Sequence, residues 1–206
     1  MTVETICVDT QPQAIIRAAQ LLRRGSVVGL PTDTVYGIGA HAFLPQAVAR
    51  LYTIKRRPRD KAIPLLIAGL ETLPRVAASV PGVAYRLAER FWPGALTLVL
   101  PRAPQLPDVI TGGGDTVAVR VPDHPVTHAL LAELGAPLAT TSANISGRPA
   151  PATAQGVLSQ LDGRIDLLLD GGDCPAGTAS TVLDLTVSPP QVLRAGPLLA
   201  ALKSWL

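Results

Sequence analysis

Short apolar runs alternate along this chain with longer stretches whose apolar residues recur at helical spacing, and no linker or repeat interrupts them. That alternation admits few architectures, because every helix needs a sheet or another helix to cover its apolar face. Pro12 to Arg24 places Ile15, Ile16, Ala19 and Leu22 on one helix face, and Gly25 ends it. Pro45 to about Thr53, Pro125 to Leu134 and Thr153 to Leu161 predict further helices, the first two with proline in the first turn. Residues 71 to 92 predict two helical pieces broken at Pro81-Gly82, and Pro197 to Leu206 a terminal helix. Between them Ile6–Val8, Val27–Leu30, Ile63–Ile67, Ala95–Leu100, Thr116–Val121, Leu138–Thr141 and Ile165–Leu169 read as strands. Thr181–Leu185 and Val192–Arg194 read as a closing pair. The expectation is one α/β domain over residues 1–206, built around a mixed sheet.

Hydrophobic residues make up 48% of the chain, enough for a sizeable core, but aromatics only 3%. The core must be aliphatic, and aromatic platforms for stacking single-stranded bases have little material. Cys7 and Cys174 lie far apart without metal-ligand spacing, which suits a reduced, cytoplasmic setting. The first residues, MTVETICVDTQP, lack the basic and apolar regions of a signal peptide, and no apolar run approaches the roughly 18 residues of a membrane span.

Lys55 to Lys61 reads Lys-Arg-Arg-Pro-Arg-Asp-Lys and holds five of the 18 basic side chains against one of the 15 acidic ones. The net charge of +3 therefore comes from this one place, the natural meeting point for an anion. Pro58 denies the run helix continuity, so it is read as a loop or strand entry. A strand-like path would send Lys55 and Arg57 to one side and Arg56 to the other. Two segments rich in hydroxyls and amides, Pro31 to Gly39 and Ser142 to Pro149, read as ligand-presenting loops. Phosphate-loop, dinucleotide-binding and nucleophile-elbow motifs are absent. His124 and His128 are four apart, yet Pro125 stands between them and no His-Glu-x-x-His occurs, so no metal site is assigned to the histidines. What remains is Thr, Ser, Asn, Gly and Arg at strand ends, an inventory for binding a polyanion and stabilising charge rather than for covalent catalysis.

Six segments in order resemble the YrdC/Sua5 family of threonylcarbamoyl-adenylate synthases: PTDTVYGIGA (31–40), IKRRPRD (54–60), FWPGALTLVL (91–100), DTVAVRVPDHP (115–125), TSANISGRPAP (141–151), and STVLDLT with VLRAGP (180–186, 192–197). The resemblance implies a YrdC-like domain with a twisted, mixed, open sheet flanked by helices around a concave basic cavity. It implies condensation of L-threonine, bicarbonate and ATP, with Mg²⁺, to threonylcarbamoyl-AMP and pyrophosphate. The product then passes to a tRNA threonylcarbamoyl transferase complex for modification of adenosine 37. By resemblance, the ATP contacts fall on Lys55, Arg57, Thr116, Ser142, Asn144 and Arg194, with Lys61 as a second-tier candidate, and Lys55 and Arg57 carry the catalytic charge. Threonine contacts fall on Thr34, Arg120, Thr140 and Ser180, while Thr32 and Asp33 shape the loop beneath Thr34.

Longer family members carry a histidine where this chain has Leu66, and an additional C-terminal domain; the chain resembles the short bacterial form. Two other readings stay open. One is a tRNA- or double-stranded-RNA-binding module without adenylation activity, using Arg56 and Arg59; the other is a carbamoyl-transfer domain like those embedded in hydrogenase maturation proteins.

Overall fold

Prolines start three of the six α-helices among residues 5–205, which the computed structural model describes. The fixed proline φ suits the first helical turn, where no partner is needed for the missing N–H. In chain order the elements are β1 (Ile6–Asp9), α1 (Pro12–Arg23), β2 (Val28–Leu30), β3 (Gly37–His41), α2 (Pro45–Lys55) and β4 (Leu65–Leu66). There follow α3 (Gly82–Phe91), β5 (Leu96–Pro101), α4 (Asp108–Thr111), β6 (Thr116–Arg120), α5 (Pro125–Leu134) and β7 (Leu138–Ser142). The last are α6 (Ala154–Leu161), β8 (Leu167–Asp170), β9 (Thr181–Asp184) and β10 (Gln191–Arg194).

The ten strands form one open sheet in the order β1-β8-β2-β3-β7-β4-β6-β5-β9-β10. It is mixed: β1/β8, β8/β2, β4/β6 and β5/β9 run parallel, and the other neighbours antiparallel. Side chains alternate between its faces. On one face Ile38, Leu65, Leu96, Leu98, Val117, Val119, Leu168 and Leu183 join Leu51 of α2, Leu87 of α3 and Leu161 of α6 in the main core. On the other, Ala18, Ala19 and Leu22 of α1 and Leu130, Leu131 and Leu134 of α5 pack on Leu30, Leu66, Leu138, Leu167 and Leu169. Each fully buried leucine stabilises the fold by roughly 1.5–3 kcal/mol. This second cluster contains no residue of β5, β6, β9 or β10. Half of that face is left without the α1/α5 cover.

The structure corrects the sequence reading in five places. Gly37, Ile38 and Gly39 belong to β3 rather than to a loop. A Cβ at Gly37 would stand 2.8 Å from the Thr140 methyl, and one at Gly39 2.6 Å from Leu138 Cδ2. The glycines are there because the facing side chains of β7 fill that space, as expected of glycine inside a strand. Lys55 is the last residue of α2, not a loop residue; the helix ends at Arg56, which adopts the left-handed conformation with φ 52° and ψ 42°. The first piece of the 71–92 segment is a 3₁₀ turn, Leu70–Arg75, because Pro74 lies inside it, and the short α4 was missed altogether. The C-terminal stretch forms turns and a 3₁₀ turn at Lys203–Trp205 instead of an α-helix. Three-residue hydrogen bonds such as Leu199 N–H to Gly196 O dominate there, with Leu202 fully buried as the anchor; Leu206 lies outside the described residues. No described helix is long and apolar enough to cross a membrane.

The turn after β10 packs directly on the backbone that enters β9. A Cβ at Gly196 would meet Thr181 N at 2.5 Å, Ala179 O at 2.7 Å and Ser180 C at 2.7 Å, all main-chain atoms. Gly196→Ala is therefore expected to destabilise the protein by roughly 1–3 kcal/mol, read as a lower urea midpoint at unchanged slope. A variant with the wild-type midpoint would show that this backbone contact yields freely.

Candidate functional site

The uncovered half of the sheet is the floor of a cavity of about 350 Å³, within the size range of small-molecule sites. Strand alternation selects its floor. Thr97 lies between the core residues Leu96 and Leu98, Ala118 between Val117 and Val119, and Thr140 follows Ala139. Arg120, Ser142 and Val182 face the same hollow, while Thr34 and Ser180 come from the segments preceding β3 and β9. Arg57 and Arg194 complete the wall.

The Thr34 side is tightly organised. Thr32 Oγ1 donates to Val35 O at 2.7 Å and accepts from the N–H groups of Thr34 and Val35, a side-chain turn that sets the Thr34 hydroxyl 2.9 Å away. Arg120 is 6% exposed and donates three ways: Nε to Gly94 O at 2.8 Å, Nη1 to Thr34 Oγ1 at 3.0 Å, and Nη2 to the Asp33 carboxylate. Asp33 also accepts from Asp123 N at 3.1 Å. Burial pulls the Arg120 pKa down and Asp33 opposes it; an arginine stays charged regardless. Of its five N–H groups one remains on each terminal nitrogen.

Across the floor, Arg194 Nε donates to Ser180 O and Nη2 to Ser180 Oγ, both at 2.9 Å. Arg57 donates Nε to Lys61 O at 3.2 Å and Nη2 to Ala62 O at 2.8 Å. Burial lowers both pKa values, reinforced at Arg194 by the neighbouring Arg120. Among the described residues neither guanidinium has a carboxylate partner, so the cavity holds more positive than negative charge.

Four of the residues expected in the site do not line the cavity. Lys55 is buried with 2% exposure, and its ammonium donates to Ser142 O, to Asn144 O at 2.6 Å and to Asn144 Oδ1 at 3.2 Å. Asn144 is equally committed: Oδ1 also accepts from Ser142 Oγ at 2.6 Å, and Nδ2 donates to Ile145 O and Arg148 O. Both stand behind Ser142 and hold its loop. Lys55 and Arg57 do not share one side as a strand-like path would have it: Lys55 ends α2 and turns inward, Arg56 is exposed in the left-handed conformation, and Arg57 lines the cavity. Thr116 is exposed at the outer end of β6, on the same face as Ala118 and Arg120. Lys61 is exposed, and it is its carbonyl that receives Arg57. Leu66 forms an apolar part of the wall and is 5% exposed. The sequence reading overlooked Thr97, although a lone hydroxyl in an apolar strand was a visible signal. No group of three or more His, Cys, Asp or Glu among the described residues is arranged to hold a metal ion.

Residues 20–196 match the Sua5_yciO_yrdC family model, described as "Telomere recombination". The chain is 48% identical over 181 residues to the threonylcarbamoyl-AMP synthase of Pyrococcus abyssi, covering 88% of this chain and 53% of that protein. It is 46% identical over 189 residues to the threonylcarbamoyl-AMP synthase of Bacillus subtilis, covering 91% and 55%. The chain thus spans about half the length of these curated relatives. The crystal structure of P. abyssi Sua5 complexed with L-threonine superimposes with a TM-score of 0.94 at 42% identity, covering all of this chain and 61% of that one.

The Lys55 ammonium gives a pH test of the loop it holds. Burial, and then the charge of Arg57, push its pKa down to about 8, below the ordinary lysine value near 10.4. Between those pH values the unfolded chain keeps a proton that the folded one has released, so stability rises with pH; below about 8 both forms keep it and the slope vanishes. Wild type is expected to gain stability relative to Lys55→Met across that window in urea titrations. Parallel curves would show that the three oxygens around the ammonium hold its proton against burial.

Proposed function

The chain belongs to the Sua5/YciO/YrdC family, and from that premise we propose that it is an L-threonylcarbamoyladenylate synthase, a nucleotidyltransferase. In this reading L-threonine and bicarbonate give the threonine carbamate with loss of water. A carbamate oxygen then attacks the α-phosphorus of ATP, the new P–O bond forms as the bond to pyrophosphate breaks, and threonylcarbamoyl-AMP results. The carbamate is already an anion, so no strong general base is needed; alignment and charge neutralisation are. The observation that carries the proposal is that three arginines line one cavity, Arg120 paired with Asp33 and Arg57 and Arg194 with no carboxylate partner among the described residues. Arg120, steadied by Asp33 and Thr34, offers two N–H groups to the amino-acid carboxylate, and Arg57 and Arg194, without counter-charges, face the phosphates.

Ser180 and Thr140 complete the threonine side and Ser142 the nucleotide side, with Thr116 at the rim. Lys55 and Asn144 act by holding the Ser142 loop. Mg²⁺ would enter with ATP, held by phosphates and water as its octahedral preference favours, since no carboxylate cluster lies at the cavity among the described residues. The mixed anhydride is labile, so this reading requires water to be kept from it while the substrates fill the cavity. The product's destination is a tRNA threonylcarbamoyl transferase complex, and the setting cytoplasmic, as part of the same reading. The exposed Arg56, Arg59 and Lys61 favour tRNA as a second partner; tight, salt-sensitive tRNA binding without ATP turnover would replace the synthase reading with an RNA-binding one.

Incubation with MgATP, bicarbonate and L-threonine is expected to release pyrophosphate in a threonine-dependent way and to yield threonylcarbamoyl-AMP by mass spectrometry. Arg57→Ala and Arg194→Ala are expected to raise the KM for ATP about tenfold or more, the scale of a lost charge-assisted hydrogen bond. Pyrophosphate release indifferent to threonine would sink the proposal.

A further inference from the structure

Thr97 is 2% exposed and sits where the two parts of the cavity meet. The β5/β6 register, with Leu98 across from Val119, puts it beside Arg120. On its other side it pairs with Val182 of β9, and its Oγ1 lies 2.7 Å from Ser180 Oγ, which is itself 4% exposed. Arg194 already donates to Ser180 Oγ, and a guanidinium has no lone pair to offer in return. The two hydroxyls carry two protons and their mutual hydrogen bond uses one. One hydroxyl proton is therefore left over, and no other acceptor among the described residues takes it from either oxygen. Both hydroxyls line the cavity, so that proton is free for a ligand that brings an oxygen to this point.

We propose that Thr97 is a positioning residue: through its hydrogen bond to Ser180 it orients a hydroxyl donor toward the substrate oxygen lying between the amino-acid carboxylate and the phosphates. Resting on the synthase reading, that oxygen is one of the carbamate, the group that joins the two halves of the product. Thr97 makes no other side-chain hydrogen bond among the described residues, so Ser180 is the route by which it acts.

The test is a double-mutant cycle in the threonine-dependent pyrophosphate assay, with urea midpoints measured in parallel. Thr97→Val keeps the branched shape, and is expected to lower kcat about tenfold to a hundredfold while leaving the KM for ATP and the urea midpoint near wild type. Thr97→Ser, which keeps the hydroxyl, is expected to restore kcat to within about threefold. Adding Thr97→Val to Ser180→Ala is expected to cost almost nothing further, because the partner is already gone. Additive losses, a Thr97→Ser variant as impaired as Thr97→Val, or a Thr97→Val enzyme with wild-type kcat would each overturn the proposal while the synthase reading stands. A wild-type protein without threonine-dependent turnover would overturn both.

Discussion

A ten-stranded sheet has two faces to shield from water, and here only one is covered from β8 through to β9. The other is closed by α1 and α5 as far as β7 and β4 and then left open. Because strand side chains alternate, leucines and valines of β5 and β6 that face the closed side force their neighbours toward the open one. Those neighbours cannot all be apolar without making an exposed patch, and the ones that line the cavity are Thr97, Ala118 and Arg120. The floor of the site is thus the half of each strand that the core did not claim.

Crowding arginines into such a hollow is unfavourable unless their N–H groups are satisfied. Each of the three handles this alike, giving part of its donors to main-chain carbonyls: Gly94 O for Arg120, Lys61 O and Ala62 O for Arg57, Ser180 O for Arg194. Only Arg120 has a carboxylate as well. The difference leaves the Arg120 part of the cavity balanced in charge and the part around Arg57 and Arg194 with a positive excess.

Much of this was legible in the sequence, and what was not depended on distant partners. The helices were readable because their proline starts and apolar periodicity are local. β3 was not, since Gly37 and Gly39 look like loop residues until Thr140 and Leu138 occupy the space above them. The six motifs named Arg57, Arg120, Ser180 and Arg194, all of which line the cavity. They also named Lys55 and Asn144, which do not; a lysine in a basic run gives no hint that helix α2 continues to it and turns it inward. The Asp33–Arg120 pair was equally hidden, its members being 87 residues apart.

The inward turn of Lys55 bears on how the site handles charge. A lysine is a mobile cation suited to following a phosphate, but one whose three protons meet Ser142 O, Asn144 O and Asn144 Oδ1 has no donor left for a ligand. Its charge serves to close the Ser142–Asn144 turn, and Ser146 N–H, donating to Lys55 O at 2.9 Å, fastens the same loop to the end of α2. Ser142 is thereby held on β7 at the edge of the cavity while Arg57 leaves α2 on the other side of the left-handed Arg56. One helix end then sets both a hydroxyl and a guanidinium of the cavity wall. Donors fixed in advance cost no reorganisation when an anion enters the cavity.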